Sequence, residues 1–90
     1  MDFIQMIHGF VTPLTRDFTN VSVKEIESAE EGTLTFEVLV SPEDLGRVIG
    51  REGRVANALR TIAYAAAIKE GFRVKLTFGS NGEGEAPTAG

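Results

Sequence analysis

The stretch Val-Ile-Gly-Arg-Glu-Gly, residues 48–53, decides how this sequence is interpreted. Its two glycines permit positive φ angles and allow another backbone to approach within contact distance. Before it, Ser41-Pro42-Glu43-Asp44 is typical of a helix start, with serine as the cap, proline at the first helical position and acids in the first turn. After it, a helical pattern runs from about Arg54 to Glu70, and Gly71 is the expected left-handed cap. We therefore predict a short loop that joins two helices end to end.

This loop has the features of an anion-binding site. The free N–H groups in the first turn of the second helix, and the positive end of its dipole, attract negative charge. Arg47, Arg51 and Arg54 are close to the loop in sequence, whereas Glu52 opposes them. The glycines around the loop contain no Gly-x-Gly pair and no Gly-Lys-Ser/Thr follows, so the two common nucleotide-binding motifs are excluded. Two nearby glycines also occur in ordinary helix–helix turns, and the motif alone leaves both interpretations open.

Charge is divided unevenly along the chain. The 90 residues have a formal net charge of −4. Residues 1–45 carry two basic and nine acidic side chains, a balance of −7, whereas residues 46–78 carry seven basic and two acidic ones, a balance of +5. The loop lies in the basic part. A polyanion is therefore expected to be attracted to one contiguous segment of an acidic protein.

The remaining elements are predicted from hydrophobic periodicity. Residues 2–19 indicate an N-terminal helix that is capped by Asp2 and kinked or restarted at Pro13. Residues 21–26 and 33–40 are typical of an antiparallel hairpin, and residues 72–78 of a final strand. Residues 79–90 lack apolar anchors, so we expect a folded domain over residues 1–78 and a disordered tail over 79–90. The apolar stripe of the first helix is expected to comprise Phe3, Ile7, Phe10 and Leu14, widened by Ile4 and Val11.

The order helix, strand, strand, helix, helix, strand predicts an α+β fold, an α/β two-layer arrangement. The two central helices connect the second strand to the third, so these strands should be parallel and the crossover right-handed. In the second strand, Thr33 and Thr35 alternate with the apolar residues and are expected on the opposite face. We expect one three-stranded mixed sheet that is covered on one face by three helices.

Composition argues against several classes of function. The chain has no cysteine and one histidine, His8, which excludes thiol nucleophiles, thiolate metal sites and a histidine-relay triad. We find no acid–base constellation or metal-ligand set, and expect neither enzymatic activity, a small-molecule substrate nor a cofactor. No apolar run approaches the roughly 20 residues of a membrane span, and the first residues lack a basic signal-peptide start. The expected location is the cytoplasm.

Taken together, the motif and the order of elements resemble the KH family, in which a Val-Ile-Gly-x-x-Gly turn joins two helices. The arrangement is that of a type II KH fold. The chain is similar to the small single-domain bacterial KH proteins of the KhpA (YlqC-like) group, which have a proline near the end of the first helix. The segment Asp44 to Arg54 and the run Ala58 to Thr61 carry this similarity, which covers roughly residues 2–78.

The resemblance implies that the loop clamps the backbone of about four nucleotides of single-stranded RNA, with the bases on neighbouring apolar groups such as Val48, Ile49 and Val55. It also implies a role in post-transcriptional regulation or as an RNA chaperone. The family often has a basic or neutral residue where this chain has Glu52. The RNA-binding residues expected on this basis are Arg47, Val48, Ile49, Gly50, Arg51, Glu52, Gly53, Arg54, Val55 and Asn57.

In sequence, the long helix has two apolar faces. Val55, Leu59 and Ile62 are expected to anchor it on the sheet. A helix that is apolar on most sides is buried on most sides, so we predict that the second face forms a dimer interface. The resemblance implies pairing with a second copy or with a larger Jag-type KH protein. The predicted interface comprises Ala56, Ile62, Ala63, Tyr64 and Ala67.

Two functions remain open at this point. The basic loop favours an RNA-binding module. Glu52, the acidic total and the alanine-rich face favour a protein–protein interaction module that has the fold but little affinity for RNA.

Overall fold

A computed structural model describes residues 2–81 and follows the expected order of elements. Three short 3₁₀ turns lie at Thr12–Leu14, Phe18–Asn20 and Arg51–Gly53. The helices and strands are α1 (Phe3–Val11), β1 (Ser22–Ile26), β2 (Thr33–Val40), α2 (Pro42–Ile49), α3 (Arg54–Glu70) and β3 (Arg73–Ser80).

The sheet has β2 in the middle, antiparallel to β1 and parallel to β3. Val23 faces Val38 across the antiparallel pair, and Phe36 faces Leu76 across the parallel pair. A parallel pair needs a long crossover, which α2 and α3 supply. The expected mixed sheet with three helices is therefore confirmed.

The central position of β2 changes the environment of its polar residues. Thr33 and Thr35 are buried, with 8% of each residue exposed. The alternation in sequence places them on the face opposite the apolar residues, where exposure to solvent is expected. Because β2 has a neighbouring strand on each side, these threonines are shielded from solvent.

The core lies between the apolar face of the sheet and the three helices. From α3 it takes Leu59 together with Ala56, Ala63 and Ala67, all of which are buried. The expectation that these alanines lack an intramolecular partner is therefore wrong. Their spacings of three and four residues form the stripe that packs inward, and their small size lets α3 lie close to its neighbours. Ile62, which was expected to anchor the helix, is 42% exposed.

The N-terminal helix is shorter than expected. It begins at the Asp2 cap, whose Oδ1 accepts a hydrogen bond from the N–H of Gln5 at 3.1 Å, and it ends at Val11. Pro13 then lies in a 3₁₀ turn rather than in a continued α-helix. The buried stripe comprises Phe3, Ile7 and Val11, which are spaced four residues apart on one side of the helix, while Ile4 and Phe10 are exposed.

The last strand is longer than expected. Gly79 and Ser80 pair with Leu39 and Val40, so the ordered domain continues past residue 78. The side chain of Asn81 also donates a hydrogen bond to the carbonyl of Asn20 at 2.7 Å. The rest of the expected tail, residues 82–90, lies outside the described residues.

Asp44, which in sequence is only an acid in the first turn of a helix, is buried and connects two segments of the fold by hydrogen bonds. Its carboxylate accepts hydrogen bonds from the N–H groups of Arg16 at 3.0 Å and Asp17 at 2.9 Å. It also accepts one from the hydroxyl of Ser41 at 3.1 Å and one from the guanidinium of Arg47 at 3.2 Å. The segment after α1 is thereby joined to the start of α2. The two backbone N–H groups are the main cause of a lowered pKa for Asp44.

A close approach at Gly50 joins α2 to α3. A β-carbon at Gly50 would lie 2.5 Å from Cγ2 of Val55 and 2.8 Å from its backbone nitrogen. The residue has φ 79° and ψ 171°, a region that is essentially restricted to glycine. Gly53 has φ 76° and ψ 13°, but a β-carbon there would meet only the side-chain nitrogen of Asn57 at 3.9 Å. Gly50 is thus required by both backbone conformation and packing, whereas Gly53 is required by conformation alone.

We expect Asp44→Asn to reduce the stability of the fold at neutral pH and to flatten its dependence on acid. A carboxyl whose pKa is lowered on folding stabilises the protein above its ordinary pKa of about 3.9, and that contribution is lost as pH falls through the lower folded value. Urea unfolding at about pH 7 and about pH 3 measures both effects. Equal pH dependence in the wild type and the variant would contradict this role.

The two loop glycines give a matched pair of variants. Gly53→Ala should cost about 1 kcal/mol because alanine is strained at positive φ. Gly50→Ala should cost about 2–4 kcal/mol because the strain is combined with overlap with Val55. Urea unfolding midpoints measure the difference, and equal losses for the two variants would show that the approach to Val55 is not restrictive.

Candidate nucleic-acid interface

The loop between α2 and α3 is a sharp turn with three residues at positive φ. Gly50, Glu52 and Gly53 have φ angles of 79°, 58° and 76°. The N–H of Gly53 donates to the carbonyl of Gly50 at 3.1 Å, and the N–H of Arg54 donates to the carbonyl of Arg51. The turn directs Arg51 and Glu52 into solvent, where both are exposed. Their side chains are therefore available to a ligand.

The amino end of α3 begins at this turn. Gly53 is the cap residue, and as a glycine it has no side chain to accept hydrogen bonds from the first turn; the N–H of Arg54 donates to the carbonyl of Arg51. The first N–H groups of a helix have no partner inside it, and the dipole of a 17-residue helix adds partial positive charge at the same place. An anion such as a phosphate satisfies these donors.

The arginines near the turn differ in exposure and in the carboxylate with which they pair. The side chain of Arg54 is 80% exposed and lies 3.6 Å from the carboxylate of Glu52, which is 73% exposed. An ion pair with this much solvent contact contributes little stability, so a phosphate can displace Glu52 from Arg54. Arg47 is half-exposed and donates to the buried carboxylate of Asp44. Because a guanidinium has five N–H donors, this bond orients Arg47 and leaves donors for a ligand.

The apolar residues beside the loop do not share one environment. Val48 is fully buried in the core, so the expectation that it contacts a base is wrong. It lies four residues after Asp44 on the inward face of α2, and both residues are buried. Ile49 and Val55 are half-buried at the loop and retain accessible surface. They remain candidates for contact with a base.

Asn57 and Arg60 extend the polar surface along α3. The exposed Asn57 accepts a hydrogen bond from Nη1 of Arg60 at 3.0 Å. The guanidinium of Arg60 lies 5.2 Å from the ring centroid of Phe78 and donates to the carbonyl of Leu76 at 3.4 Å. The three-residue spacing between Asn57 and Arg60 is the sequence signal that places them on one side of the helix.

The predicted dimer residues do not form one surface. Ala56, Ala63 and Ala67 are in the core, whereas Ile62 and Tyr64 are about two-fifths exposed. Residues two apart do not face the same side of a helix, so Ile62 and Tyr64 lie on different flanks of α3. The prediction of a dimer surface made of alanines is wrong because it places the larger apolar residues of α3 in the core and the alanines on the surface.

Two further observations concern the part of the chain that the structure describes. In residues 2–81, no group of three or more His, Cys, Asp or Glu side chains is arranged to hold a metal ion. None of the helices described is long and apolar enough to cross a membrane.

Comparison with known proteins gives both sequence and structural matches. The chain is 46% identical over 78 residues to the RNA-binding protein KhpA of Lactiplantibacillus plantarum, covering 84% of this chain and 87% of that protein. It is 38% identical over 72 residues to the RNA-binding protein KhpA of Listeria monocytogenes serovar 1/2a, covering 80% and 92% respectively.

Solved structures of Era share the fold at low sequence identity. Era from Aquifex aeolicus bound to GDP and aluminium fluoride matches with a TM-score of 0.64 and 21% identity, covering 89% of this chain. Era in complex with MgGDPNP and nucleotides 1506–1542 of 16S ribosomal RNA matches with a TM-score of 0.58 and 23% identity, covering 86% of this chain. The matched region is less than a third of each Era chain, 31% and 29%.

The family whose model matches is described as KhpA/KhpB, KH domain, and the match spans residues 4–78. That span contains all the described helices and strands except the first residue of α1 and the last two residues of β3. On this match, and on 46% identity over most of the chain, the protein belongs to the KhpA/KhpB KH-domain family.

Proposed function

We propose that this protein binds single-stranded RNA non-catalytically, with the loop of residues 50–53 holding the sugar–phosphate backbone. The observation that carries the proposal is the amino end of α3, which has no side-chain cap and begins next to the exposed Arg51 and Arg54. Relatives that are 38–46% identical over most of the chain are named RNA-binding proteins. Loops of this kind in KH domains contact about four nucleotides.

The electrostatic arrangement supports a moderate rather than a strong attraction. Arg51 and Arg54 are exposed at the turn, and Arg47 is oriented by Asp44. Glu52 places one negative charge in the same turn, paired with Arg54 at 3.6 Å. Phosphate therefore competes with Glu52 for Arg54. The same arrangement suits a cytoplasmic post-transcriptional regulator or RNA chaperone, which must release its RNA.

Self-association through α3 is the second part of the proposal. Ile62 is 42% exposed, and the neighbouring Val55 and Ala66 on the same flank are only half-buried. A second copy of the chain, or a larger Jag-type KH protein, would cover this flank. Since the alanines belong to the core, the proposed interface is centred on Ile62.

A module that binds only proteins is the competing function. The Glu52–Arg54 ion pair favours it, because that pair partly neutralises the loop without any ligand. The two functions differ in their response to RNA and to salt, which the following variants test.

Replacement of Arg51 and Glu52 by aspartate should weaken binding of single-stranded RNA by about 1–3 kcal/mol. Both side chains are exposed, so the fold should be retained while the added negative charge repels phosphate. Fluorescence anisotropy with a labelled oligoribonucleotide measures the affinity, and circular dichroism verifies folding. Lys24→Asp is a control, because it also adds negative charge but lies on β1, the edge strand farthest from β3.

Salt dependence separates the two functions. With three or four arginines at phosphates, the slope of log affinity against log salt should be roughly −2 to −3 for a single strand. The double aspartate variant should have a shallower slope. Unchanged affinity in a folded double variant, or a flat salt titration of the wild type, would favour the protein-interaction module.

Variants of adjacent residues test self-association. Ile62→Asp should reduce dimer formation and change stability by no more than about 0.5 kcal/mol, because Ile62 is at the surface. Ala63→Arg should unfold the domain, because Ala63 is 2% exposed in the core. Sedimentation over a concentration series measures mass, and urea unfolding measures stability. A monomeric wild type at high concentration would contradict self-association, and a folded Ala63→Arg variant would contradict the core assignment.

A further inference from the structure

A groove lies between the second half of α3 and the start of β3, away from the loop of residues 50–53. Its volume is about 340 Å³, and its lining is mostly apolar. Tyr64 and Ile68 line it from the helix, and they are 41% and 73% exposed. Phe72 and Val74 contribute apolar surface from the chain that enters and forms β3. An exposed aromatic ring above an apolar surface is suited to a flat, partly apolar group such as a nucleobase.

Cationic side chains stand at the same groove. Arg73 and Lys75 lie on β3 and are both exposed. Glu30 is the opposing charge, and its carboxylate lies 3.8 Å from the ammonium group of Lys75. The side chains of this pair are more than 60% exposed, so the attraction between them is weak and a phosphate can compete for Lys75.

A row of residues on one side of α3 runs from the loop to the groove. Gly53, Asn57, Arg60, Tyr64 and Ile68 recur every three or four residues, which places them in one row along α3. The row meets β3 at two positions along the helix, Arg60 and Tyr64. Arg60 contacts Leu76 and Phe78, and further along the helix Tyr64 lines the groove with Val74 and Lys75.

We infer that this groove is a second RNA subsite, in which a base stacks on Tyr64 while Arg73 and Lys75 contact phosphate. The inference rests on the proposed binding of RNA at the loop and extends it. Tyr64 lies eleven positions after Gly53, which is about 16 Å along the helix. At about 3.4 Å per stacked nucleotide this distance corresponds to roughly five nucleotides, so RNA beyond the four at the loop reaches the groove.

The charged side chains that line the groove favour RNA over a second copy of the chain as the occupant. Two exposed cations against one acid attract a polyanion, and single-strand binding sites combine such cations with aromatic rings. The Ile62 flank, which is proposed for self-association, faces another side of α3. Occupation of the groove by RNA therefore leaves that flank available.

Tyr64 is a built-in reporter, because the chain contains one tyrosine and no tryptophan. Stacking of a base on its ring quenches tyrosine fluorescence, and no other residue contributes to that signal. The experiment uses the full chain with uridine or adenine homo-oligomers of about four and about twelve nucleotides. The longer oligomers should quench the fluorescence and bind more tightly, whereas the shorter ones should bind at the loop with little quenching.

The variants separate the two sites. Tyr64→Ala should lower affinity for the longer oligomer at least about fivefold, equivalent to about 1 kcal/mol, and leave the shorter one unchanged. Tyr64→Phe retains the ring and should bind as the wild type does. Arg73→Gln should reduce the salt slope for the longer oligomer by about 0.7, and Glu30→Gln should strengthen its binding. Urea unfolding verifies that each variant is folded.

The outcomes are distinguishable. If both oligomers bind with the same affinity and neither quenches Tyr64, the second subsite is wrong and the loop site stands. If neither oligomer binds, both proposals fail. If quenching depends on protein concentration without RNA, or if Tyr64→Ala alters sedimentation while RNA affinity is unchanged, the groove is a surface for self-association and the inference is overturned.

Discussion

The contact between Gly50 and Val55 is the constraint on which the loop depends. There is no room for a β-carbon between them, and the backbone at Gly50 adopts a conformation that only glycine adopts readily. The chain therefore leaves α2 and enters α3 within four residues, with no flexible linker between the helices. This tight connection holds the amino end of α3 and the neighbouring arginines at a constant separation. A site made of backbone N–H groups needs such rigidity, because its donors cannot adjust as long side chains can.

Asp44 extends this constraint to the acidic half of the chain. Its carboxylate accepts two N–H groups from the segment after α1, while Val48 packs into the core one turn later on the same helix. A buried charge would be costly without partners, and here four donors from the backbone and from side chains surround it. One of those donors is Arg47, at the edge of the candidate interface. The group that joins the two halves of the fold thus also orients a cation of the site.

Much of this architecture is predictable from sequence, and the predictions that were wrong have physical causes. The bounds of β2 and α3 follow from alternation and from the flanking glycines, and the loop follows from its spacing. The inward face of α3 does not, because periodicity allows two apolar stripes and only the sheet selects the one with Ala56, Ala63 and Ala67. The role of Asp44 is also hidden, since its partners Arg16 and Asp17 are 28 and 27 residues away. Local patterns cannot report a contact that distant.

On the proposed assignments, the three sides of α3 serve folding, RNA binding and self-association separately. The alanine stripe packs into the core, so its residues are small and their positions are restricted. The row from Asn57 to Ile68 faces β3, where Arg60 and Phe78 connect the loop to the groove beside Tyr64. Ile62 lies on the remaining flank, beyond reach of both. Because Tyr64 and Ile62 are two residues apart, about 160° around the helix, a ligand along the row would not compete with a partner on the Ile62 flank. If the protein self-associates as proposed, the dimer presents two such rows to one RNA strand, and binding of the first row raises the effective concentration of the second.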